Sequence, residues 1–292
     1  MTAVELLVVP YDSGRREWRM GKGPERLIDA GLVSRLSAVG YDVECSVVGP
    51  ESDAPPAEIA TAFELMRLVA VRVRAALAAG RFPLVLSGNC NTAPGTLAGL
   101  SPHPRAVFWF DAHGDVNTPE TTTSGFLDGM ALATAMGWCW RQMAEAIPGF
   151  EPVSEAAVLL LGARDFDPPE TERLSRSEVR LLSPESLRTS RLEHELEGFR
   201  PAMPAGYVHC DLDVLDPSQG QANPFPVPSG MSVGEVERTI AAIGRAIPVR
   251  AAALAAYAPE YDADGRVAEA ALRIAESILA AASPSRAYPV TG

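Results

Sequence analysis

Two apolar stretches each run directly into a cluster of carboxylates, and no other feature constrains the fold of this chain as strongly. Ala106-Val107-Phe108-Trp109-Phe110 is followed by Asp111-Ala112-His113-Gly114-Asp115-Val116-Asn117, and Gly206-Tyr207-Val208-His209-Cys210 leads into Asp211-Leu212-Asp213-Val214-Leu215-Asp216-Pro217. Apolar runs this short are consistent with strands buried on both faces. Charges that open where a buried strand ends are too costly to leave unpaired, so they must be coordinated or hydrogen-bonded. A bound pair of divalent cations accounts for both clusters economically; the alternative, capping aspartates at a loop start, has to be invoked twice.

The rest of the chain supplies the setting. Strand-like runs at Glu5–Pro10, Asp42–Val48, Pro83–Ser87, Ala106–Phe110, Ala157–Leu161, Gly206–Asp211 and Val249–Ala255 are interspersed with helix-like runs at Pro24–Val39, Glu58–Ala79, Val233–Ile247 and Val267–Ala282. Such alternation predicts a three-layer αβα fold around a mainly parallel sheet, with ligands at the carboxyl ends of the strands. Both aspartate runs sit at such ends. With 292 residues, 47% of them hydrophobic, one large core is feasible, and a single domain over residues 1–292 is expected. The Pro/Ala-rich stretch Asp53–Ala57 is too short for an interdomain linker.

A net charge of -12 argues against a nucleic-acid partner, which needs a basic face. Bound cations would offset part of that acidity. The start, Met1–Tyr11, lacks the basic region and cleavage pattern of a signal peptide, and no apolar run approaches the roughly 18 residues of a membrane helix. Cys45, Cys90, Cys139 and Cys210 follow no motif spacing, which fits a reducing cytoplasm better than a disulfide framework. A cytoplasmic protein with no membrane association is the expectation.

Asp111, His113 and Asp115 occupy alternate positions, as do Asp211 and Asp213, so extended segments would project each set to one side. An oxygen-rich set with one imidazole suits Mn²⁺. Asp216, before Pro217, orders a turn instead. His209 shares the face of Asp211 and Asp213, either as a hydrogen-bonding support for the ligands or as a plain core histidine.

These two runs, with Lys22-Gly23-Pro24, the stretch Asp111 to Gly129 and Arg164-Asp165-Phe166-Asp167-Pro168, resemble in order and spacing the motifs of the arginase, agmatinase and formimidoylglutamase family, the ureohydrolases. The resemblance runs through nearly the whole chain. It implies an arginase-like αβα fold, two Mn²⁺ ions and metal-assisted hydrolysis of a guanidine-like carbon–nitrogen bond. Carried over position by position, it makes Asp111 and Asp211 bridging ligands, His113 and Asp213 ligands of one metal, and Asp115 a ligand of the other at the reacting centre. By the same analogy the chain forms a homo-oligomer, a trimer or a hexamer.

Three positions depart from the family pattern. The first metal ligand is a histidine within Gly-Gly-Asp-His-Ser, where this chain has Ser87-Gly88-Asn89-Cys90-Asn91. A thiolate at Cys90 favours Zn²⁺ or Fe²⁺ over Mn²⁺, a thiol that stays protonated weakens the first site, and a Cys90 that only packs in the core leaves the position without a ligand. After Ser124-Gly125-Phe126-Leu127, Asp128 replaces the arginase histidine that shuttles protons. Asp128 is then a relocated cation anchor or general acid/base at the catalytic centre, or a solvated loop residue. In Ala255-Ala256-Tyr257-Ala258-Pro259-Glu260, Ala256 stands where the family has the glutamate that anchors the guanidinium.

The amino-acid end is conservative by comparison. Asn117-Thr118-Pro119-Glu120-Thr121-Thr122-Thr123-Ser124-Gly125 resembles the arginase loop that holds an α-carboxylate, implying Asn117 and Ser124 as its partners, and Asp167 with Glu170 matches the pair that holds the α-ammonium. Ordinary turn chemistry of Asn, Thr, Ser and Pro explains the same residues without a ligand. A small substrate with an amino-acid head and a modified guanidine, such as N-hydroxyarginine, fits the pattern. A catalytically degenerate metal-binding protein and a mononuclear deacetylase-like amidohydrolase holding one metal on Asp111, His113 and Asp211 are the competing expectations.

Overall fold

The computed structural model describes residues 3–50, 57–101, 105–199 and 203–282; Asp53 to Pro56 of the Pro/Ala-rich stretch lie outside them. Eight strands form one sheet: β1 (Ala3–Val9), β2 (Asp42–Val47), β3 (Arg81–Ser87), β4 (Arg105–Phe110), β5 (Val158–Leu161), β6 (Arg180–Leu182), β7 (Ala205–Asp211) and β8 (Val249–Ala255). Their order is β2-β1-β3-β8-β7-β4-β5-β6, and every pairing is parallel. The chain jumps across the sheet where β8 and β7 separate β3 from β4. Order reversals of this kind open a crevice above the carboxyl ends of the strands.

Strand alternation divides the core into two layers. Leu6, Val8, Leu84, Leu86, Phe108, Phe110 and Val208 pack on one face against Leu27, Leu36, Ile240, Ile243 and Ile274 of the helices Gly23–Asp29, Leu32–Ala38, Val233–Ala246 and Arg266–Ala282. On the other face Leu7, Val9, Val85, Val107 and Trp109 meet Leu65, Val69, Val73 and Leu97 of the helices Glu58–Ala78 and Ala93–Leu100. The αβα sandwich is therefore the one the sequence predicts. Burial on both sides is why β4 and β7 read as continuous apolar runs.

Several elements differ from the sequence-based expectation, among them the helices Ala93–Leu100, Pro168–Ser175 and Arg191–Phe199, which were not foreseen. The helix predicted over Pro24–Val39 is two helices, because Gly31 takes φ 98° and ends the first. The edge strand β6 was not foreseen, since three residues are too few to show a period of two. Among the described residues, no helix is long and apolar enough to cross a membrane.

Candidate metal centre

The four central strands deliver the site. Cys90 follows β3, Asp111 follows β4, Asp211 ends β7 and Ala256 follows β8. Cys90, Asp111 and Asp115 each present a potential ligand atom within 4.8 Å of the others, and Asp111, His113 and Asp213 do the same. Asp211 belongs to neither triad but touches both: its Oδ2 accepts the Cys90 thiol at 3.1 Å and its Oδ1 accepts the Asp213 amide at 2.8 Å. His113 Nδ1 lies 3.3 Å from Asp111 Oδ1 and 3.3 Å from Asp213 Oδ2. All six sequence-predicted metal residues converge in one place.

They do so by a different local route from the extended segments expected. Asp115 sits at φ 53°, a left-handed conformation uncommon outside glycine, and Asp213 lies in the 3₁₀ turn Leu212–Val214, with Asp211 capping it. Simple alternation beyond the strand ends therefore does not describe either run. Arg164 holds the second one in place, donating to the carbonyls of Gly162, Asp213, Val214, Val227 and Pro228. Asn223 Nδ2 bridges Asp213 Oδ2 at 3.0 Å and the Ala256 carbonyl at 3.1 Å. Asp216 accepts the amides of Ser218 and Gly230, as a turn-ordering residue should.

The electrostatics of this cluster favour cations. Burial pushes the carboxyls of Asp111, Asp115 and Asp211 up from their ordinary values, and neighbouring carboxylates push them further. Asp213 is held low in spite of its burial, by His113 and Asn223. Burial opposes the charge on His113, but Asp213 and Asp111 outweigh it and raise the imidazole to about 12. Asp115 Oδ2 is buried with no hydrogen-bond partner among the described residues. An orphaned carboxylate oxygen pointing into a cluster of oxygen donors is the arrangement a hard divalent ion satisfies, so the residues present fit such a metal.

Asp128 is buried, which removes the solvated-loop alternative. Its Oδ2 accepts Asn89 Nδ2 at 2.9 Å and its Oδ1 accepts the Asn91 amide at 3.1 Å. Burial, then the Asp12 charge, raises its carboxyl to about 8 against the lowering effect of these donors. Asn89 in turn accepts the Ser13 amide and faces the buried Asp12. Gly88 makes this approach possible: a Cβ there would collide with the Tyr11 carbonyl and the Gly21 backbone.

A cavity of about 330 Å³ opens over the cluster, and Asn117, Ser124, Asp167 and Glu170 all line it. Asn117 Nδ2 donates to Asp167 Oδ2 at 2.8 Å. Glu170 is already engaged, its Oε1 accepting the Val116 amide and its Oε2 the Asp167 amide as part of a helix capping box. Ser124 Oγ accepts the Phe126 amide. Phe126 and Phe225, which also line the cavity, face each other at 5.8 Å; sequence reasoning gave neither a role. A larger cleft of about 560 Å³ beside Trp138, Arg141, Arg173 and Arg176 contains no such carboxylate cluster.

The sequence matches the profile of the Arginase family over residues 2–281. The chain belongs to the arginase family. These are hydrolases of carbon–nitrogen bonds in linear amidines. It is 30% identical over 292 residues to an arginase of Brevibacillus brevis, covering 94% of this chain and 97% of that one. An arginase of Bacillus caldovelox is 28% identical over 294 residues, covering 95% and 98%. A solved structure of the Bacillus caldovelox arginase superposes with a TM-score of 0.86 at 27% identity, covering 95% of this chain and 98% of that one.

The positions at which the sequence departs from the family motifs have specific geometry. Cys90 is buried and hydrogen-bonded to Asp211. Asp128 accepts a hydrogen bond from the Asn89 amide nitrogen. Ala256 lines the cavity at φ 61°.

Proposed function

We propose that the chain hydrolyses the amidino carbon–nitrogen bond of a small amino-acid-like substrate whose reacting group is less basic than a guanidinium, with N-hydroxyarginine as the fitting example. The observation that carries this is Ala256: the lining contributes no carboxylate at the guanidinium-anchoring position, while Asn117, Ser124, Asp167 and Glu170 line the same cavity at the amino-acid end. Losing one partner of a buried ion pair costs about 3–5 kcal/mol, which falls more heavily on arginine than on a less basic hydroxyguanidine.

Cys90, Asp111, His113, Asp115, Asp211 and Asp213 would hold two divalent ions, with His113 and Asp213 on one side of the cluster and Cys90 and Asp115 on the other. Mn²⁺ suits the oxygen donors, and the sulfur of Cys90 shifts the preference of its position toward Zn²⁺ or Fe²⁺. When bound, such ions supply a water acidified toward neutral pKa and polarise the amidino carbon. The chain's own residues do the rest. Asp128, whose carboxyl is raised to about 8 in the metal-free chain by burial and the Asp12 charge, lines the cavity and is the group assigned to proton delivery at the leaving nitrogen. Asn89 and the Asn91 amide fix the direction of that carboxyl. Phe126 and Phe225 line the cavity mouth, with Phe225 edge-on to the His113 ring. Asn117 and Ser124 meet the carboxylate of the substrate, and Asp167, oriented by Asn117, meets its ammonium. The site works in the cytoplasm within a trimer or hexamer.

Steady-state kinetics on arginine, N-hydroxyarginine and agmatine, with detection of urea and hydroxyurea and metal analysis of the same sample, test the proposal. Preference for N-hydroxyarginine is the expected result. A kcat/KM for arginine within the ordinary enzyme range of about 10⁴–10⁸ M⁻¹s⁻¹ would overturn it.

A further inference from the structure

Beneath the metal-ligand candidates lies an aromatic column to which the proposed reaction assigns no part. β4 and β7 are paired so that Val107 stands beside Tyr207 and Trp109 beside His209. Two residues further along the chain from Trp109 and His209 are Asp111, just beyond β4, and Asp211, the last residue of β7. The indole of Trp109 and the imidazole of His209 stack with centroids 3.8 Å apart and planes 19° from parallel. Tyr207 Oη lies 2.9 Å from His209 Nδ1. All three side chains are 0% exposed. At the top of the column, Trp109 Nε1 donates to Asp111 Oδ2 at 3.0 Å.

We infer that Trp109 is a positioning residue for Asp111, and that His209, keyed by Tyr207, holds the indole in the plane from which its N–H meets that carboxylate. The inference rests on Asp111 serving as a metal ligand, as proposed above. A carboxylate that must serve two ions has to keep a fixed rotation about its Cβ–Cγ bond. Here both oxygens are tied: Oδ1 accepts the His113 amide at 2.7 Å and Oδ2 accepts the indole. The indole has few ways to turn. The imidazole covers one of its faces, and the imidazole itself is pinned by the tyrosine hydroxyl two residues earlier on the same strand. A leucine or phenylalanine at position 109 would keep the site apolar at the cost of a cavity, but would bring no donor to Oδ2. Partners of this kind, one step removed from the ion, commonly govern metal affinity by 10–100-fold.

The test is the equilibrium affinity for Mn²⁺ alone, measured by titration with electron paramagnetic resonance, alongside the melting temperature of the metal-free protein. Trp109→Phe is expected to weaken Mn²⁺ binding by about 10–100-fold. His209→Ala, which removes the stack, should weaken it by roughly tenfold, and His209→Phe, which restores a flat ring, should recover most of that loss. Phe108→Leu, on the opposite face of β4, should lower the melting temperature and leave the affinity within about twofold of wild type, since it touches no ligand. In the metal-free protein the Trp109 indole N–H resonance should shift in both His209→Ala and Asp111→Asn. Wild-type affinity in Trp109→Phe, or equal losses in His209→Ala and His209→Phe, would overturn the inference. If Trp109→Phe does not fold, the His209 pair and the indole resonance decide alone. Asp111→Asn separates the two levels: unchanged Mn²⁺ binding in that variant removes the metal assignment itself, whereas its loss together with a neutral Trp109→Phe removes only the positioning role.

Discussion

Replacing Cys90 with histidine asks whether the thiol is a ligand or a packing residue, and the structure sets the size of the answer. The side chain is buried and its Sγ lies 3.1 Å from Asp211 Oδ2. Burial first, then the charges of Asp211, Asp128, Asp115 and Asp111, push the thiol well above its ordinary value. Even an unperturbed thiol, of pKa about 8.5, is ionised only to roughly one part in ten at pH 7.5, a cost of about 1.4 kcal/mol, and each further unit adds as much again. A metal that takes the thiolate must displace that proton, so its affinity should climb about tenfold per pH unit from this group alone. An imidazole of ordinary pKa about 6.5 is mostly neutral above pH 7 and contributes almost no such slope. The acidic residues around it release the same protons in both proteins. Plots of log affinity for Mn²⁺ against pH between 7.0 and 8.5, obtained by competition with a chelator, should therefore differ in slope by about one between wild type and Cys90→His, with the wild type steeper. Parallel plots would show that no proton leaves Cys90 on metal binding, and the residue would revert to core packing.

Asp128→Asn keeps the size of the side chain but cannot hold an acidic proton, so kcat should fall by about 10²–10⁴ with KM changed far less; full activity in that variant would remove Asp128 from proton transfer. Gly88→Ala forces a Cβ against the Tyr11 carbonyl and the Gly21 backbone, and urea denaturation of the metal-free protein should show a loss of about 2 kcal/mol or more. Glu235 is held at about 2 by Arg188 and, against its slight burial, by Ser232. A carboxyl lowered on folding adds stability that is full above its unfolded value of about 4.3 and disappears as the pH falls toward 2. Thermal melts of Glu235→Gln should thus lose less stability than wild type between those two pH values, and identical acid profiles would show that the cap contributes nothing.

The sequence by itself was sufficient for the layered α/β architecture, because each central strand is buried on both faces and must therefore be written as an unbroken apolar run. It was sufficient also for the location of the carboxylate cluster, since charges at the ends of such runs have no packing explanation. β6 escaped it because three edge residues carry no period, and the break at Gly31 escaped it because one glycine in an otherwise helical stretch does not declare its φ. The pattern showed that Asp111, His113 and Asp115 belonged together but misjudged how, because Asp115 takes a left-handed conformation and Asp213 lies in a 3₁₀ turn, neither of which a period of two describes. Everything that depends on distant partners was decided by the tertiary structure alone. Cys90 meets Asp211 across 121 positions, Asn89 meets Asp128 across 39, and Val116 meets Glu170 across 54. His209 was legible as sharing the face of Asp211, but its stack on Trp109 exists only because β4 and β7 pair in one particular register. A local pattern records which way a side chain points. What it meets there is set by the register and packing of segments far away in the chain, and the chemistry of this cluster lies in those meetings.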